Sequence, residues 1–339
     1  MAIRSPELAE GFTDLDEGAP TEVAGKSPSA IAFSRLRKDR VAVVCTAVVG
    51  MLVVLALAAP IITGAMHIYW SSEDPRSLDP GTYLQFYGNQ MPIIGPPDHG
   101  FDWSHPLGIA PRNATDNLAY LLYGLRTSLF VATLTTILTT IVGIVIGLVS
   151  GYLGGWVDRI LMFFTDVFLS FPYILGALVL APIIIARHSP TDLAGIARSQ
   201  LEGLIFILTV LTWMGLARLI RGQVLSLRER EFIQAAQVMG VPTRRILFKE
   251  LLPNLVAPIV VATSLSLPAF VTAEAGLSFL GIGLTDYPSL GQMIQAGTSY
   301  FQIYPIYLWE PVITITVLVI ALNLLGDSIR DAFDPKTRR

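Results

Sequence analysis

Apolar stretches free of charge alternate along the chain with short polar segments. Val41 to Met66 holds no ionisable side chain except the thiol of Cys45. At about 1.5 Å of rise per residue it can cross about 30 Å of hydrocarbon as one helix. It begins too far into the chain and runs too long for the apolar part of a signal peptide, so it reads as a spanning helix. Thr127 to Gly151 is a second such run. A third, Ile160 to Ala186, carries Asp166 near its start and Pro172 and Pro182 to kink it. Leu204 to Ala217 is the centre of a shorter fourth, Asn254 to Ala273 with Pro258 and Pro268 a fifth, and Pro311 to Gly326 a sixth. The pattern predicts an all-α integral membrane protein with six transmembrane helices.

Basic residues near the span ends set the orientation. Arg35, Arg37, Lys38 and Arg40 crowd before the first span, whereas 67–119 offers only Arg76 and Arg112. The amino terminus is therefore expected in the cytoplasm. The stretch from Arg218 to Lys249 and the tail with Arg330, Lys336, Arg338 and Arg339 then fall inside, and the cation-free loop from Thr285 to Trp309 outside. The loop with Arg187 and Arg198 is neutral to the rule. The expected organisation is a disordered cytoplasmic extension over 1–34, rich in Glu7, Glu10, Asp14, Asp16, Glu17 and Glu22. The first transmembrane helix follows over 35–66, an external region over 67–119, and a five-helix core over 120–330 that includes a cytoplasmic loop at 223–253. A cytoplasmic tail at 331–339 completes it.

Composition narrows the function. Charged residues make up 14% of the chain against about 25% in soluble domains. A soluble enzyme, a disordered scaffold and a secreted disulfide module are excluded. A net charge of −3 supplies no field for nucleic acid, and Cys45 alone cannot form an intrachain disulfide. His67, His99, His105 and His188 include no pair at i, i+4, so no metal site is expected. Gly25-Lys26-Ser27 resembles the end of a phosphate loop, but Pro20 stands where that loop needs Gly. Ser278 lies near a nucleophile-elbow pattern with no charged partner in register. The Asp158-Arg159 pair reads as a solvated turn. Asp166, Glu202 and Glu274 are the acids placed at span ends, which leaves the spans nearly bare of proton-relay groups. No catalytic residue is expected.

The loop between the fourth and fifth spans carries the most information. Phe232, Ala235, Ala236 and Met239 follow i, i+3, i+4, i+7 and give a short helix one apolar face. Gly240 can cap it with positive φ, and Pro242 prevents its continuation. The result is helix, sharp turn, helix, with an alanine pair small enough for a partner's groove.

This segment resembles the permease subunits of ATP-binding-cassette importers. Their loop reads Glu-Ala-Ala, three residues, Gly, nine residues, then Ile-x-Leu-Pro. Here it is Gln234-Ala235-Ala236, Gly240, Glu250 and Leu252-Pro253. Gln replaces the acid, Glu250 replaces the apolar residue, and Glu231 offers an acid one turn earlier. Further landmarks are similar to the oligopeptide, dipeptide and nickel permeases, specifically the partner with a cytoplasmic extension. They are His105-Pro106-Leu107-Gly108, Tyr123-Gly124-Leu125-Arg126-Thr127-Ser128-Leu129, Gly151-Tyr152-Leu153-Gly154-Gly155-Trp156-Val157-Asp158 and Leu169-Ser170-Phe171-Pro172. Towards the end come Leu277-Ser278-Phe279-Leu280-Gly281, Asn323-Leu324-Leu325-Gly326-Asp327, Arg330-Asp331 and Asp334-Pro335. After His-Pro-Leu-Gly the family continues Thr-Asp, two residues, Gly-Arg-Asp, whereas this chain runs Ile109-Ala110 to Ala114-Thr115-Asp116. Gly143, Gly147 and Gly151 form a stripe for close helix packing, inside the chain or between subunits.

The resemblance implies a multi-pass permease of the bacterial cytoplasmic membrane with both termini inside, moving short peptides. Its partners would be a homologous second permease, two cassette ATPases that bind ATP and Mg, an external binding protein and membrane lipid. No cofactor would sit in this chain. Glu231, Gln234, Ala235, Ala236, Met239, Gly240 and Pro253 are the implied ATPase-coupling residues. A permease for another small solute such as nickel, an ion-coupled carrier and an intramembrane enzyme are the alternatives.

Overall fold

A computed structural model describes residues 28–71, 74, 76–85, 88, 90–185, 193–284 and 287–334. The acidic residues before Pro28, the Gly25-Lys26-Ser27 look-alike and Arg187-His188 lie outside them. The helices are α1 (Pro28–Leu36), α2 (Arg40–Met66), α3 (Pro80–Tyr83), α4 (Asn117–Leu153), α5 (Gly155–Leu169), α6 (Tyr173–Ile185) and α7 (Leu193–Thr212). They continue with α8 (Met214–Arg228), α9 (Glu231–Val238), α10 (Thr243–Arg245), a π-helical turn over Ile246–Leu251, α11 (Leu252–Asn254), α12 (Val256–Phe279), α13 (Leu290–Thr298) and α14 (Pro305–Phe333). No strand occurs among the described residues; three isolated bridges fold the segment between α2 and α4 back on itself.

Five helices, α2, α4, α7, α12 and α14, are long and apolar enough to cross a membrane. The expected third span is instead two helices. α5 and α6 meet at 85°, and the pair supplies a sixth crossing if it counts as one. Pro172 sits at this corner, where its ring disfavours helix in the preceding Phe171; Pro182, inside α6, leaves the helix continuous. The expected fourth run, Leu204 to Ala217, also divides, because the chain turns at Trp213 and Ala217 belongs to α8.

α4 is the spine. Its Leu125 and Ala132 pack with Leu52 and Ala56 of α2, Phe270 and Val271 of α12, and Leu318 and Leu322 of α14. On its other side Val131 meets Leu204 and Leu208 of α7 and Leu277 of α12. The glycine stripe lets α8 approach. A methyl at Gly147 would stand 2.7 Å from the Ala217 carbonyl oxygen, and one at Gly151 2.8 Å from Val224 Cβ. The stripe therefore serves packing inside the chain.

Both ends of the described chain meet. The Arg35 guanidinium donates to the carbonyls of Ala332 (3.2 Å) and Asp334 (3.1 Å), which close α14 and favour a cation there. Residues 28–34, expected within a disordered extension, are helical in α1, and the rest of that extension lies outside the described residues.

Candidate functional site

The loop between α8 and α12 is built onto the far end of the α4–α8 pair. Ile233 and Ala236 of α9 are buried with Leu148 and Tyr152 of α4, Ile220 and Val224 of α8, and Ile246, Leu251 and Leu255 beyond the turn. The loop is thereby packed as one close-fitted cluster with two helices of the core.

The turn follows from Gly240, at φ +71°. The Val241 N–H donates to the Ala236 carbonyl (3.0 Å) and the Gly240 N–H to that of Gln237 (3.0 Å). This paired closure, with Val241 packed on the same cluster as Ala236, is the Schellman arrangement that needs a left-handed residue after the cap. The expected glycine cap is in place. The second half of the loop is a succession of short turns, not one regular helix. Pro253 has no N–H to give the Lys249 carbonyl, and its ring crowds that turn, which the backbone accommodates by widening to π geometry. Asn254 Nδ2 caps the Glu250 carbonyl at 2.6 Å. Pro253 itself is exposed.

The predicted apolar face needs correction. Ala236 is 6% exposed and turned into the core. Ile233, outside the sequence template, is the residue beside it. The face left to solvent carries Phe232 (43% exposed), Ala235, Val238 (88%) and Met239 (75%). Glu231 and Gln234 are exposed on the same short helix, and Gln234 Nε2 donates to the Glu229 carbonyl at 3.2 Å. Around this patch stand exposed Arg228, Arg230, Arg244, Arg245 and Lys249.

Two ion pairs lock α5 to α8 beside the loop. Arg221 Nε and Nη2 reach the Asp158 carboxylate at 2.6 and 2.7 Å, a bidentate pair. It holds the Arg221 pKa above its ordinary value. Arg218 pairs with Asp166. Asp158, expected in a solvated turn, is thus a structural link; its partner lies 63 residues away, and no local signal could supply it.

A cleft of about 290 Å³ opens where α7 gives way to α8, lined by Thr139, Thr212, Gly215, Ser266 and Phe270 among others. At the end of the bundle away from the loop, Glu274 is 0% exposed and accepts from Ser278 Oγ at 2.8 Å. Ser289 caps α13 through the Gln292 N–H at 3.1 Å, and Ser128 Oγ accepts from the Leu290 N–H at 3.4 Å. The position expected at a span end is a buried junction of α4, α12 and α13. Glu310, absent from the sequence expectation, lies in the first turns of α14 with both carboxylate oxygens enclosed.

The His105-Pro106-Leu107-Gly108 landmark shares that end. His105 Nδ1 and Asp116 Oδ2 stand 2.7 Å apart, and Asn117 Nδ2 donates to the Leu107 carbonyl at 3.0 Å. Asp116 closes the divergent 109–116 segment and caps α4 through the Ala119 N–H at 2.8 Å. No group of three His, Cys, Asp or Glu suited to a metal occurs among the described residues.

Residues 143–339 match a family profile described as binding-protein-dependent transport system inner membrane component, and 27–84 match that of the N-terminal TM domain of oligopeptide transport permease C. The chain is similar to the dipeptide transport system permease protein DppC of Alkalihalophilus pseudofirmus, at 29% identity over 92% of this chain and 91% of that one. It is also similar to the oligopeptide transport system permease protein OppC of Mycobacterium tuberculosis, at 32% identity over 66% of this chain and 73% of that one. Among solved structures, one titled for inward-facing conformations of the MetNI methionine ABC transporter aligns with 23% identity. It covers 63% of this chain and 96% of that one, with a TM-score of 0.48.

Proposed function

The chain belongs to the binding-protein-dependent transport system inner membrane components, and from that premise we propose that it couples ATP hydrolysis in partner subunits to peptide passage through the outward face of α9. It is a membrane permease subunit of an ATP-binding-cassette peptide importer. The observation that carries the coupling assignment is the exposed patch of Phe232, Ala235, Val238 and Met239, mounted on a loop whose inner side is fused to α4 and α8.

In this reading two cassette ATPases bind ATP and Mg, and one seats this patch in an apolar groove. The arginines and Lys249 around the patch would meet acidic groups at its rim, steering the encounter. When the ATPases close, the loop moves, and α4 and α8 follow as a rigid pair. The α7–α8 cleft opens and closes with that motion, and its threonine and serine hydroxyls line the peptide path together with a homologous second permease. The chain performs no bond chemistry. Glu231, Gln234, Gly240 and Pro253 shape or flank the docking surface, and Ala236 anchors it from within. Both termini and the loop face the cytoplasm, and an external binding protein delivers cargo to the opposite end.

Purification of the assembled complex in mild detergent tests the reading. ATPase subunits should co-purify and hydrolyse ATP, and proteoliposomes should accumulate short peptides only with ATP. Recovery of the chain with no ATPase, together with peptide uptake driven by an ion gradient, would overturn it.

A further inference from the structure

The cleft where α7 gives way to α8 is walled by four helices of this chain, α4, α7, α8 and α12. Its hydroxyls come from three of them: Thr139 from α4, Thr212 from α7 and Ser266 from α12. Thr139 is 4% exposed, so its hydroxyl is enclosed by this chain itself and not left bare on an outer face. Leu216, Leu219 and Phe270 supply the apolar part of the wall. At Gly215 an added Cβ would meet no heavy atom within 4 Å, so open space lies directly over the α8 backbone.

The bonding of the three hydroxyls decides what they can offer. Thr139 Oγ1 donates to the Thr135 carbonyl at 2.8 Å, Ser266 Oγ to the Ala262 carbonyl at 2.8 Å, and Thr212 Oγ1 to the Leu208 carbonyl. A hydroxyl has one hydrogen, and in each case its own helix engages it. The lone pairs remain, and no donor among the described residues reaches them. The neighbouring Thr140 and Thr263 differ, since their hydroxyls bond each other at 3.3 Å. No ionisable side chain lines the cleft among the described residues. The side chains of this wall are therefore acceptors without donors and without charge.

Such a lining selects by what it lacks. A metal cation would shed its water here and meet no countercharge. A backbone N–H is the match: it is neutral, it donates, and leaving it unbonded in an enclosed site is costly. An extended peptide carries one at every residue except proline, whatever its side chains. We propose that the cleft reads the backbone of the cargo, with Thr139, Thr212 and Ser266 accepting N–H groups of the passing peptide. Leu216, Leu219 and Phe270 accommodate its side chains, so recognition is largely independent of their sequence. The inference rests on the peptide reading given above and adds which part of the peptide this subunit recognises.

The test uses the complete transporter with its external binding protein in proteoliposomes. The cargo is labelled trialanine or its analogue with an ester in place of the second peptide bond, which keeps the length and removes one N–H. In Thr139→Val combined with Thr212→Val, trialanine uptake should fall about fivefold, as expected for lost neutral hydrogen bonds, while ester uptake hardly changes. The preference for peptide over ester then falls about fivefold, and the change belongs to the cleft because the binding protein is unaltered. Ser266→Ala, a milder change, should move that preference the same way by about twofold. Thr139→Ser combined with Thr212→Ser keeps the acceptors and should keep both rates. An equal fall for both cargoes overturns the proposal, because the hydroxyls then serve the bundle and not the N–H. A preference unchanged in every variant also overturns it, as does loss of the second permease from the purified valine variant, which would make the hydroxyls a subunit contact. If the assembled wild type hydrolyses ATP and takes up neither cargo, the peptide reading itself fails and this inference with it.

Discussion

At Gly240 a side chain would meet no heavy atom within 4 Å, so only the backbone opposes substitution there. At φ +71° an L-residue loses about 1–2 kcal/mol, and Gly240→Val should loosen the turn while the bundle survives. Faster proteolysis of the loop at unchanged assembly is the expected readout. Glu274 offers the opposite case, a fully enclosed carboxyl facing serines. Glu274→Gln preserves its shape and hydrogen bonding and should fold normally. Glu274→Ala leaves a cavity and orphaned hydroxyls and should cost about 2–4 kcal/mol, seen as a lower unfolding midpoint in detergent. Gly240 was legible in the sequence because a helix cap is a local signal, with Pro242 two residues on. The Asp158–Arg221 pair and the burial of Glu274 were not, since each depends on helices that meet only in the folded bundle.

Among the helices, α9 shows how far periodicity reaches. The i, i+3, i+4, i+7 template found an amphipathic helix but placed Ala236 on one face with Phe232, Ala235 and Met239, whereas Ala236 is buried. Phe232, Ala235 and Met239 fit one face and Ile233 and Ala236 another, and the choice is made by Leu148, Ile220 and Val224 on other helices. Two variants separate the faces. Ala236→Trp overfills a closed cluster and should destabilise the subunit by about 1–3 kcal/mol or more, lowering its yield. Ala235→Trp points outward and should leave expression and unfolding midpoint unchanged. The α5–α6 corner was likewise invisible as such, because a bent pair and a straight span share one apolar composition; Pro172 announced a kink but not its 85°. The stripe of Gly143, Gly147 and Gly151 left two readings open, and only contact with Leu216, Ile220 and Val224 decides for α8. Gly147→Leu should therefore block bundle assembly, measured as loss of monodisperse protein on size exclusion.

For the molecule as a whole, the spans, the loop and its sharp turn could be read from charge-free runs and a few landmarks, because lipid imposes long apolar helices on any chain that crosses it. The cleft could not, since it is walled by residues from several helices. Orientation is open to direct test. In a Cys45→Ala background, Ser104→Cys should react with an impermeant thiol reagent on intact cells and Ser226→Cys only after lysis; both positions are exposed, and the reverse pattern would move the loop away from any cytoplasmic ATPase. The claim that joins these scales is that the outward face of α9 transmits ATP hydrolysis to the bundle. Its most direct test is ATP-driven uptake of labelled peptide by proteoliposomes containing the complete transporter with Ala235→Trp, at matched assembly. Uptake should fall at least about tenfold, the loss expected when a bulky group breaks one close-packed contact, while some ATP hydrolysis persists. Uptake at the wild-type rate would contradict the account and leave the loop an ordinary connector.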